Sequence, residues 1–248
     1  MSAINVKTNS RRVAIVTGAS SGIGLGITKA LLERGYSVVA NSLSISKSND
    51  LRPSADLVFA EGDIGEKETA VKVVEAAVKN FGRVDLLVNC AGVYIPKPFT
   101  EYTPEDFEKM IHTNVAGYFF VTQQAVAQMR TQKSGHIVSI GTVLVDQPLA
   151  GSHISLQVIT KSTIPAFSRA LAMEFFADGI RVNTISPGTV DTPMHAHDDH
   201  ETLKRLHPIP RLVQVSEIVD AVLYLQSAPM VTGENIRIDG GAHAGARW

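Results

Sequence analysis

Short apolar runs alternate with longer amphipathic stretches along the chain. The runs at residues 13–17, 37–40, 57–60, 85–89, 136–140, 181–186 and 236–239 are rich in β-branched residues and have strand length. Several are apolar throughout rather than alternating, the pattern of parallel strands covered on both faces. Between them, ITKALLERG, KETAVKVVEAAVKNFG and VAGYFFVTQQAVAQM carry apolar residues at helical spacing. Gly35 and Gly82 stand where left-handed C-terminal caps belong. This repetition predicts an α/β fold: a doubly wound parallel sheet of about seven strands with helices on both faces. Residues 187–211, rich in His, Asp and Pro, break the pattern and are expected to form either a lid or a plain surface loop.

Composition adds bounds rather than chemistry. The 248 residues suffice for one domain over 1–248, with residues 1–11 expected as a flexible N-terminus and 187–211 as the lid. A hydrophobic content of 44% and a charged content of 19% are those of a soluble globular protein. The net charge of −1 gives no basis for nucleic acid or an anionic membrane as partner. A single cysteine, Cys90, excludes an intramolecular disulfide and fits a reducing cytoplasm. The polar start MSAINVKTNSRR is followed by VAIVTG, too short for a signal core or a membrane span. The expectation is a cytoplasmic protein acting on a small molecule.

The segment VAIVTGASSGIGLG places Gly18, Gly22 and Gly24 between the first strand and the first helix. Glycine there allows a tight turn and close approach of backbone to a pyrophosphate, which the helix N-terminus attracts. With its Gly-x-x-x-Gly-x-Gly spacing, TGASSGIG resembles the cofactor turn of the short-chain dehydrogenase/reductase family. The resemblance covers nearly the whole chain and runs in the family's order. It implies nucleotide contacts at Gly18, Ser20, Ser21, Gly22, Ile23 and Gly24. Asp63 and Ile64 resemble the adenine contact. Asn89, Cys90, Ala91 and Gly92 resemble the Asn-Asn-Ala-Gly motif. Pro187 and Gly188, with Val190 beyond them, resemble the nicotinamide flank, and VTGENIRIDGG the closing strand. The family implies a Rossmann-type fold forming a single dinucleotide-binding domain, a nicotinamide cofactor, alcohol/carbonyl chemistry and a homotetramer or dimer. Helices over 115–129 and 163–176 could form its interface, or could equally face the core.

An acidic residue ending the second strand would favour NAD over NADP. Asn41 and Ser42 stand there, both able to donate to phosphate, with Lys47 and Arg52 nearby. This points to NADP ahead of NAD.

The family resemblance also implies catalytic positions: Asn114 in HTNVAG, Thr142 in the serine place, and Lys161, whose helix KSTIPAFSRALAMEF sets the register. The tyrosine place holds Gln157, and the Thr142–Gln157 interval is longer than usual for the family. A glutamine amide positions groups but neither gives nor takes protons near neutral pH. Three accounts of the proton stay open. Tyr94 or His153 could substitute. Water held by Lys161, Asn114 and Thr142 could carry it. Or the protein binds cofactor with little catalysis. Pro165, four residues past Lys161, predicts a distorted helix around 157–165. In MHAHDDHETLKRLH, His195, His197, His200 and His207 lie near Asp198 and Asp199. Their irregular spacing favours a solvated lid over a metal site, and their imidazoles suggest a preference for an anionic substrate. Substrate choice is expected to rest on the lid, residues 143–152 and the Tyr94 region.

Overall fold

The computed structural model describes residues 11–148 and 151–245. Of the expected N-terminal arm only Arg11 is described, where it pairs with Asp56; residues 1–10, and Leu149 and Ala150 of the expected substrate region, lie outside the described residues. The strands are β1 (Val13–Thr17), β2 (Ser37–Asn41), β3 (Leu57–Phe59), β4 (Leu86–Asn89), β5 (Gly135–Ile140), β6 (Ile180–Pro187) and β7 (Asn235–Ile238). They form one 7-stranded sheet in the order β3-β2-β1-β4-β5-β6-β7, parallel at every pairing. All seven sequence-predicted strands are present, with ends moved by at most one residue. The helices are α1 (Gly22–Glu33), α2 (Lys67–Phe81), α3 (Pro104–Ile111), α4 (Gly117–Gln132), α5 (Ser155–Lys161), α6 (Thr163–Glu174), α7 (His200–Lys204) and α8 (Val215–Ser227).

The period of two along each strand sorts side chains into two cores. Ala14, Val16, Val38, Val88 and Ile185 pack with Ile27 and Leu31 of α1 and Ile218 and Leu225 of α8. Val13, Ile15, Val39, Leu87 and Val182 pack with Val73 of α2, Val121 of α4 and Leu171 of α6. With both faces covered, apolar side chains suit both sets of positions, which explains the unalternating runs in β1, β2 and β4. Each fully buried Val, Leu or Ile contributes roughly 1.5–3 kcal/mol. The strand order reverses between β1 and β4, so a crevice opens at their carboxyl ends.

Gly82 caps α2 at φ 80°, and Gly35, at φ 78°, follows the end of α1. Two helices outside the periodic segments carry local start signals. Thr103 and Asp106 form a capping box on α3 with Pro104 at its first position, and Gln214 and Glu217 do the same for α8. Residues 115 and 116, expected in a long helix, belong instead to a π-helical turn, His112–Ala116, that precedes α4. Such turns recur at functional sites, and this one carries Asn114.

The distortion expected around 157–165 is a break at Ser162 between α5 and α6. In one continuous helix the Pro165 ring would strike the Lys161 carbonyl. The break places Pro165 in the first turn of α6, where a missing N–H costs little. Hydroxyls bridge the gap: Ser162 Oγ donates to Ile159 O (3.2 Å) and Thr163 Oγ1 to Thr160 O (3.2 Å). The stretch 187–211 is more ordered than expected. It starts inside β6 and contains the turn Pro193–His195 and α7, whose cap is the Asp199 side chain accepting from Glu201 N (3.0 Å). A helix of this length is too short to show a period in sequence.

Candidate active site

The chain leaves β1 at Thr17 and turns at Gly18, φ 66°. A Cβ there would lie 2.9 Å from Ala91 Cα, and one on Gly24 would lie 2.2 Å from Gly18 O. Both positions therefore admit only glycine, and they hold the turn flat against the start of α1. The Ser21 side chain makes no cap bond and the first turn of α1 has no acidic residue. Its N–H groups and positive dipole end face the crevice without a protein anion. Thr17 Oγ1 accepts from Cys90 N (3.0 Å) and Ala91 N (3.1 Å), tying the β1 and β4 turns together.

These turns line a cleft of about 1040 Å³. Its wall takes in Ser20, Ser21, Gly22 and Ile23 of the glycine turn, Asp63 and Ile64, and Ala91 and Gly92. Pro187, Gly188 and Val190 form the opposite wall. Asn89 is the exception. It lies under the floor, where its Nδ2 donates to Thr122 Oγ1 (2.9 Å) and Ser139 Oγ (3.4 Å) and braces the turn. Asn41 lines the cleft but does not offer its amide to it: Nδ2 donates to Ala60 O (2.8 Å) and Gly62 O (3.2 Å). Those carbonyls follow β3 and need a donor. Its neighbour Ser42 has a buried Oγ with no partner. Lys47 and Arg52 do not reach the wall; Arg52 folds back onto Leu51 O (2.8 Å).

At the other end, α5 places Gln157 and Lys161 one turn apart on the same face, both on the cleft wall and each 8% exposed. Lys161 Nζ donates to Ile140 O (2.8 Å), and burial pushes its pKa down, with Cys90 opposing the shift. Burial pushes the Cys90 thiol up to about 11, against the lowering pull of Lys161, so it stays protonated. Gln157 Oε1 is buried and has no hydrogen-bond partner. Thr142 is on the wall, its Oγ1 accepting from Leu144 N (3.3 Å).

Asn114 is not on that wall. Its Oδ1 accepts from Val93 N (2.8 Å), and its Nδ2 donates to Val93 O (3.0 Å) and Thr160 Oγ1 (3.1 Å). It clamps the turn after β4 to α5. Behind Gly92, Asn89, Asn114 and Lys161 enclose a chamber of about 10 Å³, at the lower limit for a single water.

Of the two proton candidates, Tyr94 lines the cleft and His153 does not. His153 is exposed with φ 50°, its carbonyl receiving Lys97 N (3.1 Å); the kink turns its ring away from the cavity. Tyr94 is half-buried. Burial first, then Asp198 and Tyr102, raise its pKa above 10.0.

The four lid histidines separate. His195 Nδ1 meets Asp198 Oδ2 (2.7 Å) and stands 6.3 Å, ring to ring, from Tyr94. His200 Nε2 meets His195 O (3.0 Å). His207, expected among the solvated residues, is 3% exposed and accepts Thr189 N–H at Nε2 (3.0 Å). Burial lowers its pKa, so it is a neutral brace beneath Gly188. No sequence signal marked it, because the contact spans the whole lid. Thr192 was missed too; its methyl lies 3.3 Å from where a Gly22 Cβ would be. Among the described residues no three His, Cys, Asp or Glu side chains are grouped to hold a metal ion, and no helix is long and apolar enough to cross a membrane.

Comparison with known proteins gives a consistent answer. The model of the family described as Enoyl-(Acyl carrier protein) reductase matches residues 18–243. The chain is 33% identical over 246 residues to an acetoacetyl-CoA reductase of Acinetobacter sp. (strain RA3849), covering 94% of this chain and 98% of the relative. It is 31% identical over 232 residues to a Bos taurus 3-oxoacyl-[acyl-carrier-protein] reductase, covering 93% and 97%. Among solved structures, a gluconate 5-dehydrogenase from Burkholderia cenocepacia J2315 in complex with NADP and tartrate superposes with a TM-score of 0.86 at 26% identity, covering 95% and 96%.

Proposed function

The chain belongs to the short-chain dehydrogenase/reductase family, and from that premise we propose that it is an NADP(H)-dependent oxidoreductase interconverting a carbonyl and an alcohol with an unusual proton donor. The observation that carries this reading is the glycine cradle facing Lys161 and Gln157 across one cleft. When bound, the nicotinamide supplies or removes the hydride at the carbonyl carbon. The residues present fit such a group. Gly18 and Gly24 leave room for a diphosphate at the uncapped start of α1. Lys161, held by Ile140 O, keeps two N–H bonds for ribose hydroxyls.

NADP is favoured over NAD because no carboxylate ends β2 and the unpartnered Ser42 hydroxyl is free to donate to the extra phosphate. The NADP held by the Burkholderia relative supports the same choice. Gln157 stands in the place of the family tyrosine. It holds the reacting oxygen by its amide but exchanges no proton. The proton comes from Tyr94, the one phenol on the cleft wall among the described residues. Its raised pKa keeps it protonated, which suits carbonyl reduction better than alcohol oxidation.

The same glutamine favours a second reading, a cofactor-binding protein with little turnover. The protein is further proposed to form a homo-oligomer through α4 and α6. Their inner faces bury Val121 and Leu171, while Phe119 and Met173 remain 43% and 63% exposed. Calorimetric titration with NADPH and NADH, followed by turnover on a carbonyl panel, tests the assignment. NADPH binding tighter than NADH with measurable reduction is expected. No affinity for either dinucleotide would overturn it, and binding without turnover would favour the second reading.

A further inference from the structure

The substrate end of the cleft is electrostatically one-sided. Asp198 and Asp199 stand on its wall. Asp199 accepts from Thr202 Oγ1 (2.6 Å) and Glu201 N (3.0 Å), which hold it ionised. Asp198 is half-exposed beside His195. Among the described residues no arginine lines the cleft. Of the lid cations, Lys204 pairs with Glu201 (2.6 Å) and Arg205 lies close enough to Asp199 to help hold it ionised, both off the wall. Lys161 is the cation at this end, buried at the floor and bonded to Ile140 O. Lys109 lines the far, adenine-side end together with His112 and Asp63.

A second observation is independent of charge. Gln157 Oε1 is a buried acceptor without a donor, on the wall of the same space. A buried acceptor left unpaired is unfavourable, and a ligand hydroxyl or ammonium would pair it. A carbonyl oxygen cannot donate, so the donor must sit on a neighbouring atom of the substrate. Leu203, Leu206 and Met194 supply apolar wall for a short aliphatic remainder.

We infer that this site takes a short ketone bearing an adjacent hydroxyl or amino group, neutral or cationic, and disfavours carboxylates and acyl-carrier thioesters. The inference rests on the oxidoreductase reading for the reaction itself, but not for the selectivity. In the reductive direction the hydride goes to the carbonyl carbon and the proton to its oxygen, giving a vicinal diol or amino alcohol. The carboxylates of Asp198 and Asp199 repel a ligand anion, at roughly tenfold in affinity for each carboxylate close to it.

The test is calorimetry on the full-length protein saturated with oxidised NADP, where ketones bind without reacting. The probes are an α-hydroxyketone, an α-aminoketone, an α-keto acid and a plain methyl ketone of equal chain length, with a coenzyme A thioester as a fifth. The hydroxy and amino ketones should bind at least about tenfold tighter than the keto acid and the thioester. Asp198→Asn with Asp199→Asn should strengthen keto acid binding by about ten- to a hundredfold and leave the hydroxyketone unchanged; asparagine still caps α7. Gln157→Leu should weaken the hydroxyketone by a larger factor than the methyl ketone, because only the hydroxyketone loses a partner for Oε1 as well as the amide N–H. Equal or tighter binding of the keto acid or thioester, no binding of any probe, or no effect of the Asn pair would overturn the inference. Turnover with NADPH is read separately. The expected order of affinities with no reduction sinks the oxidoreductase reading and leaves the selectivity standing; the reversed order with fast reduction does the opposite.

Discussion

Replacing Gln157 by tyrosine tests whether the proton is the weak point of this site. Gln157 and Lys161 lie one turn apart on α5, the spacing at which a lysine can steady a phenolate. A positioned general acid is worth about 10²–10⁴ in rate; with Tyr94 already supplying roughly 10², the gain left for a better-placed phenol is up to about 10², or about 2.7 kcal/mol at about 1.36 kcal/mol per tenfold. Against it stands the cost of placing a larger side chain, roughly 1–3 kcal/mol in a packed core. Here that cost is reduced, because Gln157 borders a cleft of about 1040 Å³. Removing the unpartnered Oε1 also relieves a penalty of about 1–3 kcal/mol. The stability terms nearly cancel, so the rate effect dominates. The assay is NADPH oxidation over a panel of short ketones, with thermal unfolding and cofactor affinity measured on the same samples. Gln157→Phe serves as the shape control and should show no gain. A folded, NADPH-binding Gln157→Tyr variant whose kcat is unchanged or lower would refute the reasoning, and would mean that the amide has a catalytic role of its own.

Other expectations follow from single contacts. Gly24→Ala puts a Cβ 2.2 Å from Gly18 O and should weaken NADPH binding by more than about tenfold while costing roughly 1–3 kcal/mol of stability, read by calorimetry and denaturant titration. Tyr94→Phe should lower ketone reduction by roughly 10²-fold without changing NADPH affinity; an unchanged rate would return the proton to water. Because the Tyr94 pKa is raised, wild-type reduction should stay level up to about pH 10 and decline only above it, since the acid form is the one needed. Burial holds His136 at a pKa of about 3, well below its ordinary 6.5, with Arg181 adding to the shift. The unfolded chain therefore binds a proton that the folded one refuses. Stability should be full above about pH 6.5 and fall by several kcal/mol as pH drops towards about 3. His136→Gln should flatten that slope in urea titrations.

What the sequence made legible was whatever is local along the chain. The strand runs, the glycine turn and its helix, and the break that Pro165 imposes at Ser162 each depend on residues within a few positions of one another. Asn41 shows where this stops. Its type at the end of β2 suggested a donor to phosphate, but the carbonyls of Ala60 and Gly62, delivered by the next strand, claim its Nδ2. Asn89 and Asn114 behave alike: each has the expected residue type at the expected place, yet braces a turn with its side chain. His207 looked like one more solvated imidazole until the lid folded it under Gly188.

These corrections share a cause, and it bears on the proton. A cleft at the carboxyl ends of β1 and β4 is assembled from turns far apart in sequence, so its buried polar atoms must find partners across turns. Asn41 Nδ2, Asn89 Nδ2, both ends of the Asn114 amide and His207 Nε2 have done so. Gln157 Oε1 has not, and neither have Ser42 Oγ, Asn89 Oδ1 and His207 Nδ1. A buried group left unpaired is stabilised only when a ligand supplies the missing partner. Of these four, Gln157 is the one on α5, a turn from Lys161, and the proposed substrate chemistry rests on it. If Gln157→Leu raised stability and left every ketone binding as before, the unpaired amide would be no more than a packing defect, and Tyr94 alone would have to account for both the proton and the choice of substrate.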